Sequence, residues 1–517
     1  TMPQTTPTRE SRVKKSLLNA RVNLIFYFLT LLLSFFSRKI FLDCLGAEFL
    51  GLTGALQNLL GFLNLAELGI ASSIGYLLYK PLFDSDHEKI NEIISVMGYM
   101  YRWIGIAIFV AGCIMACFLP LIFPSTGFDL LLIYFVYSSF LASTLIGYFI
   151  NYRQNLLGAD QRNYVVTGYY HTANIIKTIL QLALAWYTKS YYLWAAIEFT
   201  FGIVYSFILN WKINQTYPWL QADIRLGRKL FKKYPEVMTK TKQLFIQKIS
   251  YFVQYQTTPF LIYSFVSLQI VAFYGNYTII TDKIGQLVNA FLESSGASVG
   301  NLIAEGNQSK IKRLFWEMLS FRYFIGGVMA YIVYVSISPF VSLWLGSQYI
   351  LPNVVVLLVC TNVFISFKRV GVIQFLLGYG LFSDIWAPIS EVVINLSVAC
   401  VCGYMWGLPG VLLGGITSQL LIVGIWKPYF LYSRGFRESV WHYWTTLLLY
   451  VAPVALSVVP AVLVMRLAAI DPTQSFFYWI LFCSIQIITY SVSCYALLFI
   501  FTQGMRDLTH RFIHKNR

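Results

Sequence analysis

The feature that most constrains this chain is a succession of apolar runs, each near or above about 18 residues, separated by polar and mostly basic segments. Hydrocarbon offers no partner to a backbone N–H or C=O. Runs this long must therefore become helices, which satisfy those groups within themselves. A membrane β-barrel would read instead as short segments of alternating polarity. Of the 517 residues, 57% are hydrophobic and only 12% are charged, against roughly 25% charged in an ordinary soluble domain. The fold class predicted is an all-α polytopic membrane protein of about 14 transmembrane helices.

The runs fall into sets. Six lie at 17–37, 50–79, 95–119, 128–151, 164–187 and 191–213. Six more lie at 244–273, 281–304, 321–345, 352–377, 385–405 and 409–431, and two follow at 444–466 and 474–500. The predicted organisation is a basic N-terminus (1–16), an N-terminal six-helix lobe (17–213), a basic linker (214–243), a C-terminal six-helix lobe (244–431), two additional helices within 444–500 and a tail (501–517). A low-resolution echo relates the two lobes. Glu67 precedes Ala71-Ser72 as Glu293 precedes Ala297-Ser298; Lys89-Ile90 returns as Lys310-Ile311, and Leu156-Leu157-Gly158 as Leu376-Leu377-Gly378. The offsets are 226, 221 and 220 residues. Pseudo-symmetric halves in a membrane chain point to a transporter whose path lies between the repeats.

The net charge of +16 is a topological signal rather than a nucleic-acid footprint. With the N-terminus inside, most of the 38 Lys and Arg residues fall on the cytoplasmic side, including Arg225, Arg228, Lys229, Lys232 and Lys233 of the linker, and Arg322. Arg38, Lys39, Lys189, Lys283 and Arg466 fall outside. That bias supports the span count and places both termini in the cytoplasm. In the linker, Leu226, Leu230, Phe231 and Tyr234 recur at helical spacing among cations. This fits either a helix on the anionic inner leaflet or an ordinary basic linker. The eight cysteines include no zinc-like cluster, and those in apolar runs read as small hydrophobes. No cleavable signal peptide is evident.

Ionisable residues within spans are costly and usually functional. The cations are Arg102, Lys177, Lys248, Lys368 and Arg369. Lys177, Lys368 and Arg369 lie deepest, whereas Arg102 and Lys248 can snorkel. Their functional reading is contact with an anionic substrate; the other reading is internal ion pairing. The carboxylates are Glu67, Glu198, Glu293 and Glu391. Glu67 and Glu293, on stretches rich in small residues, either support each lobe or take up a coupling cation, and Glu391 can pair with a cation of the second half. Tyr170, Asn174 and Lys177 share one helix face and can line a wet, sugar-compatible path. No G-x-x-x-x-G-K-[S/T], H-E-x-x-H or G-x-S-x-G element occurs. A membrane transferase or polymerase would need clustered cytoplasmic carboxylates, for which Asp84, Asp86 and Glu88 are the nearest match.

Several motifs resemble a known family. Arg38-Lys39-Ile40-Phe41-Leu42, Leu45-Gly46, Glu48 and Gly51-Leu52 are similar to the N-terminal signature of bacterial polysaccharide-biosynthesis flippases. Leu65-Ala66-Glu67-Leu68-Gly69-Ile70, Leu78-Tyr79-Lys80-Pro81-Leu82 and Ala159-Asp160-Gln161-Arg162-Asn163-Tyr164 extend the likeness. These are the O-antigen and capsule repeat-unit flippases, of the superfamily that includes multidrug extruders and peptidoglycan-precursor flippases. The resemblance implies two six-helix lobes plus two helices in the bacterial cytoplasmic membrane. It also implies movement of an undecaprenyl-diphosphate-linked oligosaccharide by alternating access, with basic residues meeting the diphosphate. No cofactor is implied. Drive comes from a Na+ or H+ gradient, the membrane potential or removal of product by a downstream polymerase or ligase. The main alternative is a multidrug/cation antiporter of the same fold, for which an acidic path would be suited.

Overall fold

The computed structural model describes residues 12–64, 70–124, 126–160, 162–235, 237–238, 241, 253, 256–293, 299, 302–303, 306–381 and 383–514. Among these, every regular element is helical, and ten helices are long and apolar enough to cross a bilayer. The protein is an all-α polytopic membrane protein. The chain divides into two compact units, Thr1–Phe252 and Val253–Arg517.

In the first unit, α1 (Arg12–Leu63) would be about 78 Å long if straight, too long for one crossing. Gly46 breaks it at φ 82°, a backbone conformation that glycine adopts without strain. The two predicted spans at 17–37 and 50–79 are therefore joined by a kink rather than by a loop. Arg38 and Lys39, expected outside, lie within helix. The unit continues through α2 (Ile70–Asp84), α3 (His87–Ile122), α4 (Leu130–Phe149), α5 (Asn163–Thr188) and α6 (Tyr191–Thr216). Tyrosine hydroxyls fasten α4 to α3: Tyr137 donates to the Gly112 carbonyl (2.8 Å) and Tyr134 to that of Ala116 (3.1 Å). A polar ladder ties the end of α4 to α6. Asn151 donates to Ser206, Asn210 to Asn151, and Arg153 to both Asn210 and Asn214.

The linker contains a short helix, α7 (Ile224–Phe231), that packs on α3. Gly227 sits so close that a Cβ there would lie 2.6 Å from the Ser95 carbonyl oxygen. Lys233 pairs with Glu92, and the Tyr234 hydroxyl donates to the same carboxylate (2.6 Å).

The second unit holds helical residues 256–265, α8 (Leu268–Glu293), α9 (Gln308–Trp344), α10 (Asn353–Gly378), α11 (Trp386–Trp406) and α12 (Leu408–Phe436). α13 (Trp441–Leu456), α14 (Val458–Ala468), α15 (Phe476–Phe501) and α16 (Gln503–His514) complete it. The break expected near 274–280 lies instead at Val266–Ser267. There Ser267 caps α8, its hydroxyl accepting from the Ile270 N–H (3.2 Å). Asn276, between the spans expected at 244–273 and 281–304, is fully buried in α8, and Lys283 lies in the helix interior rather than outside. The tail expected at 501–517 carries an ordered helix, α16, packed on α9.

α9 is the spine of this unit. Phe315, Trp316 and Tyr323 meet Tyr432, Phe436, Tyr443 and Tyr450 in a dense aromatic core. The second of the two additional spans, α15, is held by Tyr331 stacked on Tyr490 (4.4 Å), the Tyr331 hydroxyl donating to Gln486 (2.7 Å) and Trp479 donating to the Ser336 carbonyl (3.0 Å). α11 and α12 approach at small residues. A Cβ on Gly414 would fall 2.5 Å from the Asn395 oxygen and 2.6 Å from the Ala399 Cβ. Gly414→Val is expected to lower the thermal midpoint in detergent by at least the ~1–3 kcal/mol of an overpacked core. Gly147→Ala, with nothing within 4 Å of the new methyl, is expected to leave it unchanged or slightly raised.

Candidate functional site

Three α-helices of the second unit place ionisable groups at one level. Contacts between the helices set that level: Arg322 of α9 reaches the Phe367 carbonyl beside Lys368 on α10, and Arg369 reaches Glu391 of α11. Each cation is held differently. Arg322, 2% exposed, donates to Gln374 Oε1 (3.0 Å) and to the Phe367 carbonyl (3.4 Å). Its side chain runs over Gly371, where a Cβ would come 3.0 Å from Arg322 Cδ. Arg369 reaches α11 with both prongs of its guanidinium: Nη1 lies 2.8 Å from Glu391 Oε1 and Nη2 3.4 Å from Oε2. Such two-pronged pairing fixes the carboxylate as well as neutralising it. Lys368 lies over the Tyr323 ring, 5.9 Å from its centroid, and makes no ion pair among the described residues. Residues 320–326, 365–376 and 388–395 thus hold three cations and one carboxylate, a positive layer at intramembrane depth.

The first unit is arranged otherwise. Lys177, at mid-length of α5, meets Glu198 of α6 at 2.7 Å, and Gln181 donates to the other oxygen of that carboxylate (3.0 Å). Tyr170 packs edge-on against Tyr205 of α6 (5.5 Å). Tyr170 and Lys177 therefore face the same neighbour, with half-buried Asn174 between them in sequence. Arg102 is exposed on α3 beside Trp103 and makes no ion pair among the described residues. Lys248 and Glu67 lie outside the described residues. Glu293 ends α8, and its side chain is outside the description.

A cavity of about 820 Å3 opens where α2, α3 and the linker meet. It is lined by Lys80, Lys89 and Lys233 on one side of the charge balance and Asp86, Glu88 and Glu92 on the other. The signs cancel, so this cavity has no net pull on an anion. Burial and the adjacent Glu92 carboxylate push the Tyr234 hydroxyl above the usual tyrosine range.

Arg322 is the residue that sequence reasoning missed. It was counted with the cytoplasmic cations because the span was started at 321. α9 begins at Gln308, capped by Asn307, whose Oδ1 accepts from the Lys310 N–H (3.1 Å). An Asn three residues before Lys310 is a capping signal legible in the sequence. Lys283, expected outside, lies in the interior of α8, displaced by the same kind of boundary error.

The helices and their charged layer define a polytopic membrane fold with ionised groups held between helices. That fold is shared with known transporters. The chain is similar to the solved structure of the lipid II flippase MurJ in its inward closed conformation, with TM-score 0.62 and 13% identity over 92% of this chain and 98% of that one. It is also similar to an inward-facing multidrug resistance MATE family transporter of the MOP superfamily, with TM-score 0.55 and 14% identity over 80% of this chain and 97% of that one. No protein-family model and no curated protein matches the chain. The chain shares the fold of these two solved structures.

The buried pairs can be tested by uncoupling them. Arg369→Met is expected to destabilise the second unit by about 3–5 kcal/mol, because Glu391 is left ionised and unpaired. Arg369→Met with Glu391→Leu is expected to recover most of that loss. Thermal unfolding in one detergent, compared across the single and double variants, measures both.

Proposed function

We propose that this protein is a flippase. It moves an undecaprenyl-diphosphate-linked oligosaccharide from the inner to the outer leaflet of the bacterial cytoplasmic membrane, its two lobes alternating the side to which the headgroup has access. The observation that supports this reading is the positive layer of α9, α10 and α11, with Lys368 meeting no carboxylate among the described residues. A diphosphate is the group such a layer suits. Lys contributes a mobile point charge, and the buried Arg322 adds a fixed positive field behind it. Tyr170, Asn174 and Lys177, with Arg102 and Lys248, are proposed to line the remainder of the path for sugar and phosphate. Glu67 and Glu293 are assigned to lobe support or cation coupling.

A cation antiporter of this fold is the weaker reading. Two intramembrane carboxylates that would have to receive a cationic substrate, Glu198 and Glu391, already hold Lys177 and Arg369. The absence of a nucleotide-binding motif leaves an ion gradient, membrane potential or downstream consumption as the drive. Asp282, exposed in the interior of α8, is a carboxylate open to a coupling Na+ or H+. A downstream polymerase or ligase that consumes the flipped product fits the same cycle.

The test is reconstitution into liposomes bearing a short undecaprenyl-diphosphate glycan, scored by its exposure to an external sugar-modifying enzyme. Lys368→Met is expected to cut the exposure rate about 10–100-fold, the worth of one charged hydrogen bond of ~1.5–3 kcal/mol. Lys368→Arg should keep most of it. Folding of each variant is checked by thermal unfolding. Transport of cationic dyes with no glycan exposure under any gradient would overturn the flippase in favour of the antiporter.

A further inference from the structure

No step of the proposed transport uses α16, yet the chain invests in seating it. After α15, Thr502 turns the backbone to an extended conformation (φ −120°, ψ 133°) and α16 starts on a new heading. Gly504 lies against α9 so closely that a Cβ would meet the Trp316 carbonyl oxygen and the Ser320 hydroxyl at 2.4 Å. Met505 is buried, and Leu508 packs on the same core. Ion pairs complete the seat. Arg511 holds the buried Glu317 at 2.7 Å, Arg313 reaches Asp507 at 3.0 Å, and Lys312 pairs with Glu438 at the end of α12.

Those contacts join α16, the first turns of α9 and the segment after α12 into one continuous face. Within it Lys312, Arg313 and Arg511 are matched by Glu317, Asp507 and Glu438. Four further cations, Lys310, Arg434, Arg437 and Arg506, are exposed and meet no carboxylate among the described residues. The apolar surface stops where this face begins. Ile500 and Phe501 at the end of α15 and Trp441 at the start of α13 are exposed, Trp441 by 73%. Exposed Trp beside basic residues marks the depth of lipid headgroups. Ile513, 58% exposed on α16, adds an apolar contact.

We propose that this face binds the anionic headgroups of phospholipids in the adjoining leaflet, with α16 as its floor. The chemistry is charge complementarity between four unmatched cations and phosphodiester anions. Long Lys and Arg stems let the charges stay at headgroup level while their methylenes lie against the apolar rim. Continuity with the lipid-facing belt favours a membrane lipid over a soluble acidic partner.

The full-length protein in nanodiscs is the system for the test. Phosphatidylglycerol is titrated into phosphatidylcholine discs, and bound lipid is counted by native mass spectrometry. The wild type is expected to retain phosphatidylglycerol preferentially. The preference should fall about fivefold for each cation removed, from ~1 kcal/mol per basic residue near the surface, in the series ending with Lys310→Gln/Arg434→Gln/Arg437→Gln/Arg506→Gln. Arg466→Gln, on an exposed cation of α14 away from this face in sequence, should leave it unchanged. If the quadruple variant fails to fold, Arg506→Gln alone should show the fivefold loss. An unchanged preference in whichever of these variants folds, or equal loss in Arg466→Gln, overturns the proposal. So does displacement of the lipid by inorganic phosphate, which would mark a soluble-anion site.

Discussion

An ionised side chain in hydrocarbon is costly unless a neighbouring helix offers it a partner, and two such pairings organise the two units. α5 and α6 are joined by a short turn, and α11 follows α10 after residues 379–385. Each hairpin carries one cation and one carboxylate facing each other: Lys177 with Glu198, Arg369 with Glu391. An apolar interface in lipid gains little from excluding more lipid, so it fixes helix rotation only weakly. An ion pair does fix it, because turning either helix by one residue, about 100°, separates the charges and leaves both desolvated. Gln181, donating to the second oxygen of Glu198 as well as to the Trp194 carbonyl, locks the same register from α5.

The remaining polar groups follow the same rule with hydroxyls and indoles. Tyr137, Tyr490 and Trp479 each donate to a backbone carbonyl of an adjacent helix. A helical carbonyl already accepts one bond within its own helix and has a second lone pair free. A tyrosine can thus cross-link two helices without breaking either. Tyr134, Tyr137 and Tyr490 serve this purpose better than phenylalanines would. They fill the same volume and add a directional contact where no water competes. Small residues then set how near the helices come, as at Gly414 between α11 and α12 and Gly227 beneath α3.

What was legible in the sequence follows from the length scale of each signal. A run of 20 apolar residues is a signal too long to mistake, so the helical membrane fold could be read directly. The intramembrane cations were also visible, since a Lys inside such a run stands out. Pairings were not, because Glu391 could have met any of several cations until the α10–α11 geometry selected Arg369. Boundaries failed where polar residues continue a helix. Arg38 and Lys39 look like a loop, but α1 carries them inward until Gly46 bends it. Arg322 looked cytoplasmic for the same reason, since the first turns of α9 are rich in Lys and Arg. α16 was hidden by its brevity: a helix of twelve residues with few apolar ones is not stable alone. The seat on α9 supplies what the segment lacks.

Lys368 shows why a transport site differs from a structural pair in the same membrane. Arg322 and Arg369 are held by fixed partners, Gln374 and the Phe367 carbonyl for the first and Glu391 for the second, so part of their cost is met in place. Lys368 has an aromatic face, and a cation over a tyrosine ring recovers about 2 kcal/mol when desolvated. That is less than the several kcal/mol that burying an ammonium costs. A cation compensated in part can take an anion and also release it. One held by a bidentate carboxylate must first break that pair, which sets Lys368 apart as the group able to meet a passing diphosphate without trapping it.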